Sequence, residues 1–195
     1  GFFSLSISLG IAIGPAIGLY IMNDFDFTLM SYISAGFSII ALLLAFLIQY
    51  RKITHMDFAF SKAAVFEKTA IRPAILIFLA CICNGAIFAF ISLFGMEKGI
   101  DNIGLYFTVY AISLFFTRPL TGKLVDRFGF DVVFYPGMIL LASGLIVLGR
   151  SSSLLFFLTG AALFGVGFGA IVTTMQTMSV LFAPGNRFGA ANATF

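Results

Sequence analysis

Arg118-Pro119-Leu120-Thr121-Gly122-Lys123-Leu124-Val125-Asp126-Arg127-Phe128-Gly129 sets charge, glycine and proline between two apolar runs, each long enough to cross a bilayer. The stretch therefore reads as a tight turn at a membrane surface. Gly122 allows backbone angles or close approaches that a Cβ forbids. Asp126 can accept backbone N–H bonds at the start of the next helix, and Arg127 can pair with a carboxylate. Such a set suits a joint between two helices that move relative to each other.

Outward from that stretch the chain is oily. Its 195 residues are 61% hydrophobic and 10% charged, with a mean hydropathy of +1.10, and a water-soluble domain of this size needs more polar side chains to cover itself. Apolar runs occupy roughly 1–22, 28–50, 73–95, 103–121, 132–149 and 154–181. About 20 apolar residues, rising ~1.5 Å each, cross a ~30 Å hydrocarbon layer as a helix. The short alternating segments of a membrane β-barrel are not seen. The expected fold is all-α, a polytopic transmembrane bundle with six full spans.

The net charge of +3 does not mark a nucleic-acid binder, because the bases sit in short connections where they set orientation. Arg51, Lys52, Lys62, Lys68 and Arg72 share the long second connection, Arg118, Lys123 and Arg127 the fourth, and Arg187 the last. These are expected to be cytoplasmic. The opposite connections hold Asp24 and Asp26, then Lys98 offset by Glu97 and Asp101, then Arg150 alone. Cys81 and Cys83, two positions apart in one apolar run, point in different directions on a helix and suggest neither a disulfide nor a metal site. His55 lies in the polar stretch 51–72, which reads as an interfacial amphipathic helix and linker; it is a solvated residue or a pH sensor. The chain opens inside one apolar run and stops at what reads as the start of another, as a fragment would.

Two motifs carry a family resemblance. Gly122, Asp126, Arg127 and Gly129 match the Gly-x-x-x-Asp-Arg/Lys-x-Gly signature loop of the major facilitator superfamily of secondary transporters, with Phe130 and Asp131 in place of its basic tail. Gly10, Gly14, Pro15 and Gly18, read alone, form a kinked small-residue packing face. They are also similar to the fifth-helix signature of drug/proton antiporters in that superfamily, with Leu19 where a further glycine stands. The segment from Arg187 to Asn192 resembles the entry into the eleventh helix. The resemblance implies helices five to ten of twelve: 1–50 as the last two helices of the N-terminal bundle, 51–72 as the cytoplasmic central loop, and 73–195 as most of the C-terminal bundle. The runs 28–50 and 132–149 carry little polarity beyond their outer ends and are expected to be the most lipid-exposed, as the resemblance implies for the peripheral sixth and ninth helices.

Polar side chains in hydrocarbon turn toward protein or a water-filled cavity. Cys81, Asn84, Phe88 and Ser92 form one helical stripe. Asn84, near the midplane, must bond another helix, a water or a substrate, since an unpartnered buried amide costs several kcal/mol (order of magnitude). Tyr106, Tyr110, Ser113 and Thr117 mark an interior face of the next span, for substrate or for packing. In the last span Gly165, Gly167 and Gly169 suggest tight crossing, and Gln176 lies toward the cytoplasmic mouth, for packing or for substrate contact.

The expected function is a secondary transporter in the plasma membrane, exporting small amphipathic or drug-like molecules by alternating access, which the resemblance implies. The alternatives are a facilitator or importer of a sugar or other metabolite, and a non-transporting structural subunit. Arg118, Gly122, Asp126, Arg127 and Gly129 are the expected gate; Gly10, Gly14, Pro15 and Gly18 the packing motif; Asn84, Phe88, Tyr110 and Gln176 the cavity candidates. The expected partners are a small-molecule substrate, protons and the lipid bilayer, with no cofactor, no metal and no nucleic acid. No acid or base lies deep in a span, so proton coupling would rest on the N-terminal helices not included here. Intramembrane acids, a His-Glu-x-x-His set or a Gly-x-Ser-x-Gly elbow would point to an enzyme, and none is present.

Overall fold

Each of the six apolar runs forms a helix in the computed structural model, which describes residues 2–48, 67–184 and 188–195. They are α1 (Phe2–Asp24), α2 (Phe27–Phe46), α3 (Ile71–Glu97, entered through a 3₁₀ turn at Lys68–Ala70), α4 (Gly104–Phe128), α5 (Asp131–Gly149) and α6 (Leu154–Leu181). A short α7 (Phe188–Thr194) follows. No strand occurs among the described residues. The expected amphipathic segment with His55, and Arg187, lie outside them. The helices α2, α5 and α6, and the stretch Lys68–Glu97, are long and apolar enough to cross a membrane. Although α4 has 25 residues, it is less apolar because Tyr106, Thr108, Tyr110, Ser113, Thr117 and Arg118 interrupt it.

The bundle is built around α6, whose buried residues face in several directions: Phe157, Phe164, Ile171, Thr174 and Ser179 are all fully enclosed. Its neighbours are α5, α4 and α3, while α1 lies against α4 and α2 lies against α1. Lipid tails are as apolar as leucine, so burial of apolar surface cannot drive this assembly; close packing does. Glycine allows it at the α5–α6 seam. A Cβ on Gly144 would stand 2.6 Å from the Phe164 backbone nitrogen, and one on Gly160 would stand 2.6 Å from Leu148 Cγ. Gly167 meets the α5 backbone at Gly137 and Leu141, whereas Gly165 and Gly169 face Ser113 and Leu114 on α4. The three neighbouring glycines thus serve two different helices.

This seam corrects one expectation. Helix α2 has no buried residue, and its Ser31, Ser34 and Ser38 hydroxyls donate to carbonyls of their own helix at 2.9–3.0 Å, so its polar atoms are satisfied without a partner. Helix α5, expected to be equally exposed, instead buries Val133, Gly137, Leu141, Gly144 and Leu148 along one face. A larger share of it is enclosed than of α3.

The ends of the bundle differ in charge. Lys68, Arg72, Lys123 and Arg127, together with Glu67, Asp126 and Asp131, lie at the end where Ala70, Ala183 and Ala191 form a small cluster and the Phe130 and Phe182 rings meet at 5.7 Å. Glu97, Lys98, Asp101 and Arg150 lie at the opposite end. At the first end Glu67, almost fully buried, caps the 3₁₀ turn through Thr69, and its backbone N–H donates to Thr194 Oγ1 at 2.8 Å. The entry to α3 is thereby tied to α7.

Candidate functional site

The segment that organises the sequence is not a loop. Helix α4 continues through Pro119 to Phe128, and the turn shrinks to Gly129 and Phe130. Gly129, at φ +86, takes a conformation that favours glycine, and its N–H donates to the Val125 carbonyl at 2.9 Å. A proline inside a helix removes one backbone donor, a defect that membrane helices tolerate. Two local expectations change as a result. Asp126 sits exposed in the last turn of α4 and cannot cap α5, whose first turn carries Asp131 instead. The Arg127 guanidinium, expected to pair with a carboxylate, lies instead 5.1 Å from the centre of the Phe128 ring.

Arg118, Gly122 and Asp126 recur every four residues and so share one face of α4. Nothing among the described residues lies within 4 Å of where a Gly122 Cβ would be, so this face is uncovered there. The longer helix also moves Arg118 inward, to a half-buried position about three turns from Phe128. That qualifies the expectation that no charge lies deep in a span.

The antiporter-like motif lies in α1, with Pro15 inside the helix and half-buried. A Cβ at Gly10 or Gly14 would meet nothing within 4 Å among the described residues, and one at Gly18 would stand 3.6 Å from Met30 Sδ. Leu19, where the motif departs from its pattern, packs against the main core.

Three of the four cavity candidates come together. The Tyr110 hydroxyl donates to Asn84 Oδ1 at 2.8 Å, joining α4 to α3. Phe88 sets its edge against Tyr110 at 5.3 Å and against Phe107 at 5.4 Å. Tyr110 is stacked between Tyr106 and Phe164, and Phe164 stacks in turn on Phe168. Asn84 is half-buried, and its amide nitrogen has no partner among the described residues. Gln176 stands apart, on α6 roughly 16 Å along the axis from Gly165, which packs on Tyr110. Tyr106, Tyr110 and Thr117 are buried and Ser113 half-buried, as the interior face of α4 requires.

Sequence reading missed the α6 side of this cluster. Phe157, Phe164 and Phe168 recur at seven and four residues on α6, and that spacing is the signal that could have found them. The Tyr106 and Thr174 hydroxyls are buried without a partner among the described residues. Cys81 is exposed, Cys83 is half-buried, and both thiols are free. No group of His, Cys, Asp or Glu among the described residues could hold a metal ion.

Together these features define a polytopic helical membrane protein with a polar contact set in aromatic rings and a charged helix end. The profile of the Major Facilitator Superfamily matches residues 1–195, and the chain belongs to that superfamily, among transporters rather than enzymes. The chain is similar to an uncharacterised MFS-type transporter of Methanocaldococcus jannaschii, at 23% identity over 211 residues covering 100% of this chain and 53% of the relative. It thus spans about half the length of the curated relative it matches. No solved structure matches.

Proposed function

We propose that the whole protein is a secondary transporter that exports small amphipathic or drug-like molecules by alternating access. The observation that carries this reading is the Asn84–Tyr110 pair. It offers an amide N–H₂ in a half-buried position, its oxygen held by a tyrosine that packs edge-to-face with Phe88, a combination suited to an amphipathic molecule with one polar group. An amide in hydrocarbon must bond another helix, a water or a ligand; the Asn84 oxygen already accepts from Tyr110, and the N–H₂ is left for a water or a ligand. Under this reading the six helices correspond to helices five to ten of a drug/proton antiporter, with 1–50 closing the N-terminal bundle, 51–72 linking, and 73–195 forming most of the C-terminal bundle. The protein resides in the plasma membrane with 51–72 and 122–129 facing the cytoplasm, which the clustering of bases at one bundle end supports.

Arg118, Gly122, Asp126, Arg127 and Gly129 act in this cycle as a latch, made and broken on the uncovered face of α4, while Gly10, Gly14, Pro15 and Gly18 form a packing seam for helices beyond this chain. In the full-length transporter, Asp126→Asn lowers flux about tenfold, the loss expected when an interaction worth about 1.4 kcal/mol is removed, while membrane insertion is preserved. Unchanged flux in a correctly inserted mutant removes the latch. A facilitated carrier of a metabolite is the second reading, favoured by the carboxylates of the described spans all lying in the first or last turn of their helices. Flux that persists when the pH gradient is collapsed selects it over proton coupling.

A further inference from the structure

A groove of about 220 Å³ lies between α3 and α5 at the bundle end that carries Lys98 and Arg150. Both helices pack on α6 rather than on each other, which leaves the space between them unfilled. Ala86, Phe90, Ile91 and Phe94 line its α3 wall, and Leu145 and Leu148 its α5 wall. Ile91 and Leu148 are buried and make the floor, whereas Ala86 and Phe90 are exposed and leave the groove open on its outer side.

These dimensions select the shape of an occupant. The volume is below the ~300–1,000 Å³ typical of sites for compact small molecules. From Ala86 to Phe94 the α3 wall runs ~12 Å along the helix axis, close to the ~15 Å of one leaflet in a ~30 Å hydrocarbon layer. A single lipid chain, aligned with the helices and entering from the bilayer, matches both. The described lining residues are all apolar, so the groove offers a polar solute no side-chain partner.

Apolar contact alone does not select one lipid, since a chain leaves surroundings as apolar as the groove it enters. Selection therefore falls to the rim. The Lys98 ammonium lies 5.7 Å from the centre of the Phe94 ring, and Phe94 lines the groove, so a positive charge stands at the mouth. Gly149 ends the α5 wall. Arg150 follows it directly, exposed, with its N–H donating to the Ile146 carbonyl at 3.2 Å. Glu97 is exposed beside Lys98, while Asp101 lines a separate cavity between α1, α3 and α4. Two bases against one acid leave the rim positive.

We propose that this groove holds one chain of an anionic phospholipid, with its phosphate between Lys98 and Arg150. The inference goes beyond the transport reading and does not depend on it, since it requires only that the bundle stand in a bilayer.

The test is photolabelling of the full-length protein in phosphatidylcholine vesicles, using trace phosphatidylglycerol or phosphatidylcholine with a diazirine in one acyl chain. Labelled residues are located by peptide mass spectrometry. Phosphatidylglycerol labels Phe90 and Ile91 about fivefold more than phosphatidylcholine does, the preference expected from one net positive charge near the membrane surface. Lys98→Gln combined with Arg150→Gln brings the ratio within about twofold, whereas Lys98→Arg combined with Arg150→Lys keeps it. Gly149→Leu, at a position with nothing within 4 Å of its Cβ, fills the mouth and lowers labelling there by both lipids several-fold. Labelling of α2, which buries none of its residues, stays the same in every variant and reports ordinary lipid contact. A preference that survives removal of both bases overturns the proposal, as does wild-type labelling of the groove in Gly149→Leu. Absence of label from Phe90 and Ile91 while α2 is labelled means that protein beyond this chain fills the groove, and overturns it as well. None of these outcomes is read from flux, so a failed transport reading leaves the test intact.

Discussion

Replacing Gly167 with valine is expected to cost about 3 kcal/mol or more, the upper part of the range for overpacking a tight interior, and to leave little folded full-length protein in detergent. A Cβ at this position would stand 2.7 Å from the Gly137 carbonyl oxygen and 2.8 Å from Leu141 Cα. Both are backbone atoms, so no rotamer change relieves the clash, and α5 must move away from α6. The separation spreads along the seam, where Gly144 against Phe164 and Gly160 against Leu148 need the same closeness. Lipid does not push the helices back together. Gly149→Ala is the control on α5, because nothing lies within 4 Å of its Cβ position; it should change stability by less than about 0.5 kcal/mol. Thermal unfolding of the two variants checks the argument. A Gly167→Val protein that melts with the wild type means that the seam does not hold α5 in place.

The glycines of α6 show where sequence reading stops. That Gly165, Gly167 and Gly169 permit close crossing follows from residue type alone. Which helix each one meets does not, because adjacent members of an i, i+2 series point to nearly opposite sides of a helix. For the same reason the low polarity of 132–149 suggested lipid exposure, yet the small size of Gly137 and Gly144 lets one face of α5 pack against α6. Hydropathy reports the cost of facing lipid; it says nothing of shape. Helix α2 lacks such a face among its neighbours here, and for it the hydropathy reading and the geometry agree.

The stretch 118–129 fails in the other direction. Proline, glycine and four charges within twelve residues read as a turn, but helix propensity is a weak prior, and α4 continues because Thr121 and Val125 bury their side chains beneath it. What the sequence does yield there is the shared face of Arg118, Gly122 and Asp126, which follows from four-residue spacing whether or not the segment is called a loop. Asn84 and Tyr110 were each recognisable as inward-facing from the stripe on their own helix. Their bond was not, because it depends on how α3 and α4 sit against α6. Glu67 is the opposite case: a carboxylate in a polar connection, with no periodic signal, that becomes buried because α7 folds back over it.

Tyr110→Ala should be the most damaging change at the candidate site. It removes a ring packed against Phe88, Tyr106 and Phe164 and leaves Asn84 Oδ1 without its donor. Emptying roughly 100 Å³ at about 24 cal/mol per Å³ costs about 2.4 kcal/mol, and the lost aromatic contacts add about 1 kcal/mol. Tyr110→Phe separates the two contributions, because the ring stays and only the hydroxyl goes. Hydrogen bonds between membrane helices are worth about 0.6 kcal/mol on average and up to about 1.7, so this variant should lose about 1 kcal/mol. The pair is then tested by a double-mutant cycle. With Asn84→Leu already in place, Tyr110→Phe should cost almost nothing, since the hydroxyl has lost its acceptor. Effects that add to within about 0.3 kcal/mol would mean the two residues are uncoupled, and the bridge between α3 and α4 would have to be withdrawn together with the role given to Asn84 in substrate contact.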